Sequence, residues 1–148
     1  MSIINVEGAI YRADQWLLIR RSVQEEHAGG TLALVGGKLD AHEQGTDQLE
    51  EALYREVDEE VGIRIAPNPQ YLYNSVFRTD AGQTVLNIVF LCEYAEGQAH
   101  SKSAAEVDAV YWMTSEQLLG DPSAPPWTKE SIRRAEAARQ QLLLNQSL

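Results

Sequence analysis

Residues Gln48 to Val61 carry the pattern that most constrains what this chain can fold into. Leu49, Leu53, Val57 and Val61 recur every four residues, with Ala52 beside them, and form the single apolar stripe of an amphipathic helix. Thr46 or Asp47 can cap its start, Asp47 followed by Glu50 having the form of a capping box, and Gly62 can stop its end. A helix with one apolar stripe needs a surface to cover, and the flanking sequence supplies strands. Residues 3–11, 16–20 and 31–35 read as strands, the first two joined by a turn at 12–14 and the third running into Gly36-Gly37. Residues 22–30 are polar, end in Gly29-Gly30, and read as a loop. Downstream, 71–78 and 84–94 read as strands joined by the turn Asp80-Ala81-Gly82, and 107–113 as another, followed by a short helix from Ser115. Proline-rich 121–127 ends the sheet region before a C-terminal helix over 128–144. Strands interleaved with two substantial helices predict an α/β domain, a mixed sheet flanked by helices.

With 148 residues and no repeat or boundary, residues 1–148 are expected to form one domain. No apolar run approaches the roughly 20 residues of a membrane span, so no membrane partner is expected. The apolar stretch after Met1 lacks the basic flank of a signal peptide. Cys92, the only cysteine, sits in the apolar run Ile88 to Cys92, which predicts a buried, inert thiol. With no disulfide possible within the chain, a cytoplasmic location is expected.

The net charge of −10 is concentrated: between Asp40 and Gly62 nine acids stand against one base, Arg55. Such a density repels a nucleic-acid backbone, so no nucleic-acid polymer is expected as partner. Spacing says more than charge. At about 100° per residue, Glu56, Glu59 and Glu60 share an arc of roughly 100° beside the apolar stripe. Like charges so placed cost an isolated helix a few tenths of a kcal/mol per pair, roughly. A cation among them reverses that penalty, and oxygen-only ligands suit a hard ion such as Mg²⁺ or Mn²⁺. A solvated acidic helix end is the plain alternative for this stretch taken alone.

The wider pattern is more specific. Arg55-Glu56-Val57-Asp58-Glu59-Glu60-Val61-Gly62-Ile63, with Gly37 and Glu43 upstream, resembles the Nudix box, G-x5-E-x7-R-E-U-x-E-E-x-G-U with U aliphatic. Every fixed position of the second half is matched, and Gly37 and Glu43 stand at the first-half spacing. Between the halves this chain has eleven residues, Gln44 to Tyr54, where the box has seven, an insertion of four. An alignment placing Asp47 and Ala41 at the first-half positions is less suitable, because Gly36-Gly37 directly follows a strand.

The resemblance implies the Nudix α/β/α sandwich and a Mg²⁺-dependent hydrolase, with Mn²⁺ able to substitute, that cleaves a diphosphate linkage. The substrate would be a nucleoside di- or triphosphate, or a nucleoside diphosphate joined to another moiety. It further implies Glu59 and Glu60 as principal metal ligands, Glu56 as a further ligand or the group orienting water, and the backbone carbonyl of Gly36 completing the site. Arg55 would pair with Glu43 or Glu59 and hold the carboxylates in place. Glu106, ahead of the strand that contains Trp112, is the candidate for one more acid from outside the box, beside a surface-loop reading. Arg20, Arg21 and Arg78 are candidates for phosphate contacts or solvated strand ends. Tyr71, Tyr73 and Phe77 are expected to pack in the core rather than stack on a base. His27, His42 and His100 lack zinc-ligand spacing and are expected in surface loops. The alternative from another class is a catalytically silent Nudix-fold module that binds a ligand or regulates. A C-terminal helix with an exposed face makes a homodimer possible.

Overall fold

The computed structural model describes residues 2–147. Strand β1 (Ser2–Arg12) is the axis of a mixed sheet. It turns at Ala13-Asp14 into β2 (Gln15–Arg21), pairing with it antiparallel only at Tyr11 and Arg12. On one edge β1 runs parallel to β7 (Thr84–Glu96), in register from Ser2↔Thr84 to Tyr11↔Glu93. Its other edge is shared: β2 takes the end, and β4 (Val35–Lys38) pairs antiparallel with Asn5 to Gly8. Strand β2 then pairs with β3 (Leu32–Ala33) and β8 (Val107–Thr114). Strand β7 pairs with β5 (Arg64–Ile65) and β6 (Gln70–Arg78).

Helix α1 (Gln48–Val61) has the bounds its periodicity predicts. It buries Ala52, Leu53, Val57 and Val61 against Val6, Ile10, Val35, Ile88 and Phe90 on one face of the sheet. Each fully buried aliphatic side chain there contributes roughly 1.5–3 kcal/mol by leaving water. The opposite face holds Ala9, Trp16, Leu18, Val89 and Leu91 under α2 (Ser115–Leu119) and α3 (Pro126–Gln146), which bury Leu118, Ile132 and Ala135. Successive residues of β1 thus feed two different cores, as alternation requires. The layers are helix, sheet, helix.

Three expectations need correction. The strand expected over 31–35 is two strands broken at Leu34, because the chain changes partner from β2 to β1 there, and Gly36 and Gly37 lie inside β4 rather than after it. Asp47 does not form the capping box: its backbone is left-handed, φ 56°, and its side chain makes no cap hydrogen bond. Tyr71 and Phe77 do not pack in the core, being 58% and 41% exposed. Gly62 does close α1 in the left-handed conformation, φ 69°. The short strand β5 lacks a sequence signal and exists through its pairing with the end of β7. Cys92 is buried as expected, and burial pushes its thiol up, away from reactivity.

Candidate active site

Burying the Leu53–Val57–Val61 stripe turns Arg55, Glu56, Glu59 and Glu60 toward β4 and the loop that follows it. Arg55 is the hub. Its Nη2 donates to Glu43 Oε1 at 2.7 Å and to the Lys38 carbonyl at 3.0 Å; its Nη1 donates to Glu56 Oε1 at 2.8 Å and to Glu59 Oε2 at 3.2 Å. Asp40 adds an ion pair at 3.6 Å. Burial works against the Arg55 charge, but Glu43 and Glu56 outweigh it and hold the guanidinium above its ordinary pKa. The pairing expected with Glu43 or Glu59 is made with both.

Glu43 also accepts the Asp40 N–H at 2.9 Å, and this bond, with Arg55, holds its carboxyl below the usual range. The residues between it and the helix, Gln44 to Asp47, are exposed loop. The four extra residues therefore lengthen the connection without displacing Glu43 from Arg55. Gly37 explains itself here. A β-carbon on it would fall on the Glu56 carboxyl, and one on Gly36 would strike the Val6 carbonyl across the β1–β4 pair. Both positions exclude a side chain because backbone and carboxylate occupy the space.

Glu60 is different from its neighbours. It is 4% exposed, and its Oε1 accepts the Gly36 N–H at 3.0 Å. Burial, reinforced by Glu56 and Glu106 and opposed by the Gly36 bond and Arg21, pushes its carboxyl up to about 8. Burial also raises Glu56, Arg55 opposing it and Glu59 and Glu106 adding to it. Glu106 is exposed, in the turn before β8, where its carbonyl accepts the Ser22 N–H at 2.9 Å. It is thus a loop residue whose charge still reaches both helix carboxylates.

The structure joins Glu43, Arg55, Glu56 and Glu59 in one ion-pair network and turns Glu60 toward Gly36. It does not gather them into a ready cage: among the described residues no group of three acids, histidines or cysteines is set to hold an ion. The donor set nevertheless fits a hard divalent cation. Carboxylate oxygens crowd one another in a half-buried site, the penalty falls on their charged forms, and a cation relieves it.

The candidate arginines separate. Arg20 is tied to the Gly30 carbonyl at 3.0 Å and Ser123 Oγ at 3.1 Å, which pins the loop after β2. Arg78 is exposed at the end of β6. Burial raises the Glu7 carboxyl, opposed by the Asn87 hydrogen bond and by the Arg21 charge, which also opposes the rise at Glu60.

A second feature brings in Glu7, Ser75, Asn87, Trp127 and Ser131, which no spacing in the sequence points to. Between the sheet and the start of α3 is a small cleft of about 30 Å³, lined by Glu7, Tyr73, Ser75, Asn87, Trp127 and Ser131 among others. At its mouth His27 stacks between Phe77 and Trp127, with ring centroids 6.2 and 6.0 Å apart. His27 is therefore an exposed loop residue, as expected, but with a stacking role. The available signal was Glu7, a lone acid inside the apolar strand 3–11. His42 and His100 are exposed, as expected.

The fold and this box geometry define a class, and comparison with known proteins names it. The NUDIX domain family model matches residues 1–135. The chain belongs to that family, and with it to the hydrolases that act on phosphorus anhydrides. The structure is similar to the MutT protein from Methanosarcina mazei Go1, with 27% identity and TM-score 0.77 over 93% of this chain and 95% of that one. It is also similar in fold to the MutT NUDIX hydrolase from Burkholderia pseudomallei, with 24% identity and TM-score 0.76 over 90% and 98%. The NUDIX domain of Shewanella oneidensis NrtR, solved with ADP ribose, shares the fold at 19% identity and TM-score 0.72 over 96% and 89%. No curated protein matches the sequence. Among the described residues no helix is long and apolar enough to cross a membrane.

Proposed function

We propose that this chain is a single-domain, Mg²⁺-dependent pyrophosphohydrolase of a small nucleotide, Mn²⁺ being able to substitute. The observation that carries the reading is the box geometry on α1: Arg55 ties Glu43, Glu56 and Glu59 together while the buried Glu60 turns to the Gly36 N–H. A group so placed costs stability when charged, and it is useful only with a cation or proton beside it. Glu56, Glu59 and Glu60, with the Gly36 carbonyl, would hold the metal. Bound there, it supplies the positive charge that neutralises the diphosphate and makes water more acidic.

The remaining work falls to the chain. Glu56, raised by burial yet bonded to Arg55, can take a proton from the attacking water at its free oxygen. Arg55 keeps Glu43, Glu56 and Glu59 in fixed relation and is a positioning residue. Glu106, whose charge reaches the same two acids, is the candidate to steer water or receive the proton in place of Glu56. Arg21, held by the His27 carbonyl at 3.1 Å and by Glu25 at 3.7 Å, still bears on Glu60 and suits a phosphate oxygen. The exposed rings of Phe77, His27 and Trp127 suit contact with the group beyond the phosphates. A nucleoside diphosphate joined to another group, the class to which the ADP ribose of the Shewanella neighbour belongs, fits this layout as well as a simple triphosphate. The exposed Leu143 and Leu144 on α3 suit a homodimer contact.

A panel of nucleoside di- and triphosphates and substituted nucleoside diphosphates, incubated with Mg²⁺ or Mn²⁺ in ¹⁸O-labelled water, tests the reading. Labelled phosphate or nucleotide products that form only with metal support it and identify the attacked phosphorus. Tight metal-independent binding without turnover of any compound points instead to a silent binding module.

A further inference from the structure

The loop between β7 and β8, residues 97–106, lies across the C-terminal end of α1 and is fastened to it through its backbone. A helix end leaves carbonyls without intrahelical donors. Here the loop supplies donors: the His100 N–H donates to the Val61 carbonyl at 3.1 Å, and the Lys102 N–H to the Glu60 carbonyl at 3.0 Å. The Lys102 ammonium adds an exposed ion pair with Asp58 at 3.5 Å. Two glycines allow the close approach. A β-carbon on Gly97 would press on the Gly62 carbonyl and the Ile63 Cα, each 3.0 Å away, and one on Gly62 would fall on the His100 ring. Glu60 is therefore held twice, its carboxyl by the Gly36 N–H and its carbonyl by the loop.

The same loop ends in Glu106, whose backbone is tied from both flanks. The Glu106 and Val107 N–H groups donate to the Ser103 carbonyl at 3.0 and 2.9 Å, and the Glu106 carbonyl accepts the Ser22 N–H at 2.9 Å. The Ser101 hydroxyl donates to the Val107 carbonyl at 2.6 Å and closes the loop on itself. The Glu106 carboxylate, by contrast, makes no hydrogen bond or ion pair among the described residues and is exposed. Surface loops are ordinarily the mobile parts of a domain, and functional groups on them need a rigid support. A fixed backbone under a free carboxylate meets that need. Burial raises Glu56 and Glu60, and the Glu106 charge adds to the rise at both, so the acid lies within electrostatic reach of them.

We propose that residues 97–106 form a strap that sets Glu106 against the acids of α1, and that Ser101 is a positioning residue acting through Glu106. The inference rests on the pyrophosphohydrolase reading, in which Glu106 steers water or takes its proton. The Ser101 hydroxyl touches no residue of the box, so its loss reaches turnover through the Val107 carbonyl and the Glu106 beside it.

The test is steady-state kinetics with Mg²⁺ on the full chain as wild type, Ser101→Ala, Ser101→Thr, Glu106→Gln and the Ser101→Ala, Glu106→Gln double variant. Ser101→Ala removes one hydrogen bond at an exposed position and should lower kcat about three- to tenfold. KM and the midpoint of Mg²⁺ activation should stay within about twofold of wild type. Ser101→Thr keeps the hydroxyl and should recover the wild-type kcat. In the Glu106→Gln background Ser101→Ala should have no further effect, because the group it positions is already lost. Hydrogen exchange of the metal-free protein reads the strap without turnover. The His100 and Lys102 amides should exchange about tenfold or more slowly than those of Ala104 and Ala105. Ser101→Ala should speed exchange at Glu106 and Val107 and leave α1 unchanged. Losses of equal size with and without Glu106 overturn the inference, as do an unchanged kcat in Ser101→Ala, a failure of Ser101→Thr to recover, or unprotected His100 and Lys102 amides. Metal-dependent turnover with any of these results leaves the hydrolase reading intact and removes only this one; a wild type that cleaves no compound removes both.

Discussion

The burial of Glu60 makes metal-free stability depend on pH in a direction opposite to that of most paired carboxylates. Its folded-state pKa is about 8 against 4.5 for the free side chain. Between those values the folded protein holds a proton that the unfolded chain has released, so stability falls as pH rises from about 5 to 8 and levels off above. Converted at ~1.36 kcal/mol per pH unit, the full difference corresponds to at most about 5 kcal/mol. For a domain of this size that is a fall in Tm on the order of 10 °C. Glu56 and Glu7, each raised by burial, add in the same direction. Glu43, Asp121 and Glu136 are held below their ordinary values, so their contribution is lost only as pH drops below about 4, outside this window. Thermal or urea unfolding in EDTA at pH 5, 6.5 and 8, on wild type and Glu60→Gln, measures the effect. Gln keeps an acceptor for the Gly36 N–H, so the variant should match or exceed wild type at pH 8 and show a shallower slope, Glu56 and Glu7 keeping the remainder. Saturating Mg²⁺ should restore wild-type stability more at pH 8 than at pH 5. Equal slopes in the two proteins, or stability that rises from pH 5 to 8 in wild type alone, would refute the reasoning.

Gly37→Ala should fold but move the Glu56 carboxyl, lowering kcat by about tenfold or more, whereas Gly36→Ala meets backbone and should lower Tm instead; the two columns of a kcat and Tm table check this contrast. Arg55→Met keeps the stem but frees Glu43, Glu56 and Glu59 at once, and should cost about 2–4 kcal/mol in urea unfolding. Deleting Gln44 to Asp47, all exposed, should preserve metal binding and most activity, which a metal titration and steady-state kinetics on the deletion variant measure. A rise in KM confined to some substrates would show the longer loop helping to form their pocket.

Legibility in the sequence followed the strength of local periodicity. Helix α1 could be bounded to the residue because its stripe and Gly62 are local signals, and the box carboxylates on it could be placed on one arc for the same reason. The Arg55–Glu43 pair was visible through box spacing despite the insertion, because a surface loop lengthens at little cost. What could not be read depends on partners distant in sequence. The break at Leu34 is a change of pairing partner, and β5 exists only through β7. Tyr71 and Phe77 look like core residues until the sheet's edge is known. The cleft joins Glu7, Asn87 and Trp127 across most of the chain, and no spacing rule connects them.

The central claim is that Glu59 and Glu60 hold the metal that diphosphate cleavage requires. Steady-state turnover of the best substrate by Glu59→Gln and Glu60→Gln, at saturating Mg²⁺ and with circular dichroism to check the fold, tests it most directly. Each substitution removes one ligand charge with almost no change in shape, so kcat should fall by about 10²-fold or more in both. Turnover near the wild-type rate in either variant, with the fold intact, would contradict the assignment.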